Sequence, residues 1–287
     1  MFSFLRPYIF TLDPEAAHDL AIKSLKFNFM PKNFFHVEDE EMLSTELFKK
    51  KLKNPIGLAA GFDKSAEVYN SLFKLGFGFV EVGTITPKRQ FGNPKPRVFR
   101  LEKDKALINR LGFNNDGIEI VTERLKTNTP SEFLGINIGP NKDTKNKSLD
   151  FLECFNKLNK FASYITVNIS SPNTVGLRDF HEEKLLSNLL NKLLELKKKL
   201  KTTCPITLKI SPDIGEKEIT NINEMVQRFK IDGVILTNST NQNREDLLDI
   251  NKNEIGGLSG QPLKETSLKF IKSFYKSNKG KIPIIGV

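Results

Sequence analysis

Short apolar, β-branched runs alternate with amphipathic stretches of helical length, and polar residues close five of the runs. Together these features predict an α/β fold, a (β/α)8 TIM barrel with seven of its eight strands present, behind a small N-terminal helical extension. The runs are PIGLAAG (55 to 61), GFVEVGT (78 to 84), FLGINIG (133 to 139), YITVNIS (164 to 170), ITLKIS (206 to 211), GVILTN (233 to 238) and IPIIGV (282 to 287). Strict β–α alternation implies a parallel sheet, which an open doubly wound sheet satisfies as well. The polar residues decide between them. Thr84, Asn137, Asn168, Lys209, Thr237 and Asn238 fall at or near the C-terminal ends of their runs. In a barrel those ends meet at one mouth, whereas in an open sheet they spread along an edge. Some of the same groups can instead fill barrel layers or cap turns.

From the N-terminus, Asp13 before Pro14 reads as an N-cap and first helical residue, so residues 1 to 27 make two short helices around a turn. The stretch has no basic n-region or small-residue cleavage site, and no run approaches the about 18 apolar residues of a spanning helix. Such a pair either packs on the domain or lies in a membrane interface, and composition favours packing. Pro31, Asn33 and the acidic run Glu38 to Glu41 mark a boundary, giving an extension over 1–40 and a barrel over 41–287. GLAAGFDKS (57 to 65) narrowly misses a phosphate-binding loop, because Lys64 does not follow the second glycine. It reads better as a strand end whose glycine lets backbone approach a flat ligand. GFGFVE (76 to 81) precedes a strand, so it is not a dinucleotide fingerprint.

The segment from Thr86 to Leu111, punctuated by Gly92, Pro94 and Pro96, is expected to be a long mouth loop acting as lid or wall. It ends in NRLGFNN (109 to 115), for which a capped hairpin turn fits as well. In VNISSPNT (167 to 174) two amides, Asn168 and Asn173, bracket Ser171 at a strand end. Amides suit a heterocycle with alternating N–H and C=O groups. A turn serine before Pro172 is equally compatible. LLSNLLNKLLELKKKL (185 to 200) repeats apolar pairs every four residues and finishes in cations that suit a helix C-terminus.

The net charge of +10 is scattered over many segments, which argues for a solvated surface rather than a nucleic-acid partner. Cys154 and Cys204 form neither a disulfide framework nor a metal pair, and His18, His36 and His181 show no zinc spacing, so no metal is expected.

PIGLAAGFDK, EVGTITP, NRLGFNN, GINIG, VNISSPNT, TLKISPD, ILTNST, GGLSGQPL and PIIGV, in this order from residue 55 to the end, resemble the dihydroorotate dehydrogenase family. LDPEAAHDLA resembles the helical extension of its quinone-linked class. That resemblance implies FMN-dependent oxidation of dihydroorotate to orotate, in pyrimidine biosynthesis, with quinone as electron acceptor. It implies FMN contacts at Ala60, Gly61, Phe62, Asp63, Lys64, Thr84, Asn137, Asn168, Lys209, Thr237 and Gly260. Lys209 would sit near the pyrimidine end of the flavin and favour the reduced ring. Substrate would be held by Lys64, Asn109, Arg110, Leu111, Gly112, Phe113, Asn168, Asn173, Asn238 and Ser239.

Ser171 would be the base, with Thr174 passing its proton outward; the soluble classes carry cysteine at that position. His18 and Arg100 would line a quinone path in a membrane-facing extension. The implied state is a monomer, peripheral on the cytoplasmic face of a bacterial inner membrane. Pro140, Val175 and Ser239 depart from the family pattern without removing a required group. The resemblance stops inside the seventh run, before the family's eighth strand and phosphate-binding glycines. These 287 residues alone are therefore expected to hold flavin poorly. Two alternatives are an inactive barrel fragment and another FMN barrel such as a tRNA dihydrouridine synthase. The latter family uses a cysteine acid, and neither cysteine here ends a strand.

Overall fold

The computed structural model describes residues 2–27 and 41–287. Helices α1 (Phe2–Phe10) and α2 (Pro14–Lys26) come first, followed by a hairpin of β1 (Thr45–Leu47) and β2 (Lys50–Leu52). The chain continues through β3 (Gly57–Leu58), α3 (Tyr69–Lys74), β4 (Phe79–Ile85), β5 (Val98–Leu101), β6 (Ala106–Asn109), α4 (Ile118–Thr127) and β7 (Leu134–Ile138). Then follow α5 (Lys147–Leu158), β8 (Tyr164–Asn168), α6 (Glu183–Lys199), β9 (Ile206–Ile210), α7 (Glu216–Arg228) and β10 (Gly233–Leu236). Last come β11 (Gly257–Gly260), α8 (Lys264–Asn278) and β12 (Ile284–Gly286).

All seven apolar runs become strands of one parallel sheet, ordered β12-β10-β9-β8-β7-β4-β3. Its central strands are buried at every position because helices cover one face and the barrel interior the other. Helix α6 shows how the sequence builds that outer layer. Leu186, Leu189, Leu190 and Leu193 recur at helical spacing and are fully buried, while Lys197, Lys198 and Lys199 occupy the last turn. Each such leucine contributes about 1.5–3 kcal/mol on burial.

The β1–β2 hairpin covers the end of the barrel opposite the mouth, where Phe48 lies 5.5 Å from the Tyr164 ring. There Leu52, Phe79, Phe133, Tyr164 and Ile235 form a separate apolar cluster. A cavity of about 400 Å³ opens between the edge strands β3 and β12, bounded by Ile56, Gly57, Ile284 and Ile285 and reaching Glu81, Tyr164 and Lys209.

The segment expected as a long loop folds differently. Val98–Leu101 pairs antiparallel with Ala106–Asn109, and β11 adds on the other side of β6. Leu101, Ile108, Leu247 and Leu258 supply this small sheet with its own core.

The N-terminal helices pack on the barrel. Asp13 caps α2 through Oδ1, which accepts the N–H groups of Glu15 and Ala16 at 3.0 Å each. Ile22 and Leu25 enter the main core, and Glu15 pairs with Arg97. Leu5, Tyr8, Leu12, Leu20 and Phe27 remain exposed on this extension. Among the described residues no helix is long and apolar enough to cross a membrane. The expected boundary over 31 to 45 falls mostly outside the described residues, as does His36.

Candidate active site at the barrel mouth

The β4, β7 and β8 ends are joined by buried polar side chains. Thr84 donates to Asn137 Oδ1 at 2.7 Å, and Asn168 Nδ2 reaches both Thr84 Oγ1 and Asn137 Oδ1 at 3.1 Å. Asn168 Oδ1 accepts from the Ser170 hydroxyl at 2.7 Å, and Ser170 Oγ in turn accepts from Asn238 Nδ2 at 2.7 Å. Strand ends distant in sequence are thus held in one frame, as the polar termini of the runs predicted.

That frame walls a cavity of about 260 Å³. Ala60, Gly61, Lys64, Thr84, Asn109, Leu111, Gly112, Phe113, Asn168, Ser171, Asn173, Lys209, Asn238 and Ser239 all line it. A neighbouring cavity of about 600 Å³ shares Ala60, Asn109, Lys209, Asn238 and Ser239 and adds Thr237 and Gly260. Gly61, at φ +109°, leaves open space where a side chain would stand, so this wall presents backbone. Ser171 is buried, and its Oγ accepts the Asn173 N–H at 3.2 Å. Asn173 donates in turn to the Asn109 carbonyl at 3.1 Å, tying the serine loop to the end of β6.

Burial pushes the Lys209 ammonium below its ordinary value, and the Glu81 carboxylate partly offsets this. Burial likewise lowers Lys64, against the pull of Glu15 and Asp19. Lys64 Nζ lies 3.0 Å from His18 Nε2. His18 is itself held down, first by burial and then by the Lys64 charge, so the ammonium donates to a neutral imidazole.

Other expected residues lie elsewhere. Phe62 lines a separate cavity of about 350 Å³ with His18, Arg97 and Lys64, its ring edge-on to His18 at 5.1 Å. The Asp63 carboxylate accepts the N–H groups of Glu67 and Val68 at 2.8 Å each, which shapes the turn before α3. Asn137 is fully buried with its oxygen and nitrogen both engaged, and it supports Thr84 and Asn168 instead of facing the cavity. Arg110 turns its guanidinium to Glu254 at 2.7 Å and to the Pro96 carbonyl at 3.0 Å. Thr174 is buried but off the cavity wall. Arg100 donates to the Leu12 carbonyl at 2.8 Å and stacks 4.6 Å from the Phe10 ring, clamping the turn between α1 and α2.

Sequence reasoning missed Ser170 of the frame and Gly83, Leu107 and Asn114 of the cavity wall, and two charged residues behind them. Arg178 donates to the Ser170 and Ser239 carbonyls and pairs with Asp213 at 3.0 Å, bracing three strand ends. Glu81 lies beneath the frame, and a charge inside the apolar run FVEVGT was its visible signal.

The dihydroorotate dehydrogenase family model matches residues 42–287. A dihydroorotate dehydrogenase (quinone) from Christiangramia forsetii is 47% identical, over 99% of this chain and 86% of the relative. The mitochondrial dihydroorotate dehydrogenase (quinone) of Mus musculus is 42% identical, over 96% of this chain and 72% of its own. The crystal structure of the Eimeria tenella dihydroorotate dehydrogenase in complex with ferulenol superposes with a TM-score of 0.90 at 39% identity. It covers 95% of this chain and 79% of that one.

Proposed function

The chain belongs to the dihydroorotate dehydrogenase family, and we propose that its mouth cavity oxidises dihydroorotate to orotate with FMN as bound cofactor and quinone as final acceptor. One observation carries the site assignment. Ser171, Asn168, Asn173, Asn238 and the buried Lys209 converge on one cavity that adjoins a second, larger one.

The residues present fit a flavin. Among the described residues Thr237 Oγ1 is buried without a hydrogen-bond partner, Gly61 offers a backbone wall, and the buried Lys209 reaches both cavities, where its ammonium would favour an electron-rich ring. When bound, FMN supplies the acceptor for the hydride that leaves the substrate ring. Ala60, Gly61, Lys64, Thr84, Asn168, Lys209, Thr237 and Gly260 would hold it. Asn137 would act from behind Thr84.

Substrate recognition follows from the same donor set. Lys64 supplies the charge for the substrate carboxylate, and the amides of Asn109, Asn173 and Asn238 offer donors and acceptors to the ring. Ser171 takes the proton of the ring methylene while the hydride leaves the adjacent carbon, and the ring double bond forms between them. With one Oγ lone pair already accepting the Asn173 N–H, the hydroxyl must release its own proton as it gains the new one. Thr174 is the next hydroxyl proposed for that relay. The exposed apolar residues of α1 and α2 would rest on a membrane surface, on the cytoplasmic face of a bacterial inner membrane, where a quinone enters past His18. This reading needs no nucleic acid and no second subunit.

The test is flavin content and dihydroorotate-dependent dye reduction by the purified protein, alongside Ser171→Ala. The parent should carry FMN and turn over. Ser171→Ala should keep its FMN while flavin reduction slows by about 10²-fold or more, the range for loss of a general base. An unchanged stopped-flow rate removes Ser171 from the mechanism.

A further inference from the structure

Glu81 lies in β4 between Val80 and Val82, its side chain buried beside Tyr164 and Lys209, and no step of the proposed reaction uses it. Both of its oxygens accept: Oε1 from Asn137 Nδ2 at 2.8 Å and Oε2 from Thr166 Oγ1 at 2.8 Å. A carboxylate is acceptor-only, whereas every amide and hydroxyl above it can work in either sense. With Asn137 Nδ2 held by Glu81, Asn137 must turn Oδ1 to Thr84 and Asn168. Asn168 then spends its Nδ2 on those two groups and turns Oδ1 to Ser170. Ser170 donates to that oxygen and accepts from Asn238, whose Oδ1 accepts the Ser239 N–H at 2.7 Å. Every donor in this chain points back toward Glu81. Reversing Asn137 would press its carbonyl oxygen against the carboxylate, so the sense of the chain is imposed from its buried end.

We propose that Glu81 is a positioning residue for this site: it sets the direction in which Asn168 and Asn238 present their amides to the cavity, and it is the negative charge beneath Lys209. The inference rests on the dihydroorotate reading of the cavity. Glu81 and Lys209 both line the 400 Å³ cavity on the far side of the barrel interior, while Lys209 also reaches the mouth. Lys209 therefore lines both the cavity that Glu81 reaches and those proposed for the flavin. Loss of the negative charge leaves the lysine's positive charge uncompensated and favours the reduced, electron-rich ring.

Two variants separate direction from charge. Glu81→Gln keeps the shape and an acceptor for Asn137 but removes the charge. Glu81→Leu removes both acceptors. Three quantities are measured on the flavin-loaded protein: the flavin midpoint potential, the orotate dissociation constant from flavin absorbance, and the melting temperature. Glu81→Gln should melt within a few degrees of the parent and bind orotate within about threefold, with a midpoint potential shifted to a more positive value. Glu81→Leu should bind orotate at least about tenfold more weakly, the loss of one well-placed polar contact, and raise KM more than it lowers kcat.

An unshifted potential in Glu81→Gln overturns the proposal whether or not the leucine variant folds. A folded Glu81→Leu that binds orotate as the parent does overturns it too. A parent that neither binds orotate nor is reduced by dihydroorotate would instead refute the reading of the cavity, so the two failures are distinct.

Discussion

Replacing Glu15 with alanine should undock α2 without unfolding the barrel. Glu15 and Arg97 are both buried, and the guanidinium contacts the carboxylate through Nε at 3.0 Å and through Nη2 at 2.6 Å. Arg97 also donates to the Phe91 and Asn93 carbonyls at 2.6 and 2.8 Å, which fixes it to the mouth segment. Truncating Glu15 leaves a buried cation with two neutral acceptors, and removing one partner of such a pair costs about 3–5 kcal/mol. The other anchors of α2 are chiefly Ile22 and Leu25, worth about 1.5–3 kcal/mol each. The loss is therefore comparable to what those two side chains contribute, and release of α2 into water caps it by rehydrating Arg97. Hydrogen exchange should show α2 amides opening about 10²-fold more readily, at about 1.4 kcal/mol per decade, while β4 and β7 amides keep their protection.

Acid provides a second arm. Burial raises the Glu15 pKa, but the Arg97 hydrogen bonds and charge, with Lys95 and Lys64, outweigh it and leave the net value below 4.5. A depressed folded value means that the stabilisation is complete above 4.5 and drains away as pH falls through the folded pKa. The parent should lose α2 protection only in that acid range, and the alanine variant should lack this limb. If Glu15→Ala left α2 exchange at the parent rate, the pair would not be what docks the extension.

His181 should make stability fall in mild acid. Its ring is buried, with Nδ1–H donating to the Arg178 carbonyl at 2.7 Å and Nε2 accepting the Ser211 N–H at 3.4 Å, so the neutral tautomer is the one accommodated. Burial holds its pKa below 6.5, which means the unfolded chain binds the extra proton first; its contribution is whole above 6.5 and erodes below. Melting temperatures at about pH 5.5 and 7.5 should therefore converge in His181→Gln relative to the parent, and an undiminished gap assigns the acid sensitivity elsewhere. Deleting residues 1 to 30 should abolish binding to anionic vesicles and turnover with a long-chain quinone, yet leave flavin reduction by dihydroorotate largely intact. Quinone turnover at the parent rate in the deleted protein would dismiss the extension from the second half-reaction.

What the sequence revealed and concealed follows the range of the interactions involved. The runs 78 to 84, 133 to 139 and 164 to 170 were readable because burial on both faces leaves continuous apolar stretches. The hairpin at 98 to 109 was not. Its third strand, Gly257–Gly260, joins from about 150 residues away, and Gly92, Pro94 and Pro96 nearby carry the signature of a loop. Within the site, Thr84, Asn168 and Lys209 at strand ends line the cavity because side-chain direction follows from strand alternation, whereas Asn137, also near a strand end, turns to Glu81 behind them. Asp63 and Arg110 lie in motif stretches that do reach the cavity, but turn geometry aims their own side chains at Glu67, Val68 and Glu254. Motif membership located the stretch and not the rotamer.

Lys64 shows why the extension and the mouth are best considered together. It lines both the 260 Å³ cavity with Ser171 and the 350 Å³ cavity with His18 and Arg97, so one side chain forms part of both walls. Its burial, the main cause of its lowered pKa, comes with the packing of α2, which also brings Glu15 and Asp19 to pull that value back up. Removing the extension would expose Lys64 to water and take away the His18 imidazole that accepts its hydrogen bond, but exposure favours the charged ammonium. The charge proposed for the substrate carboxylate then survives, while the pocket proposed for quinone entry loses a wall. The two half-reactions are therefore expected to part in the deletion, even though a single lysine touches both cavities.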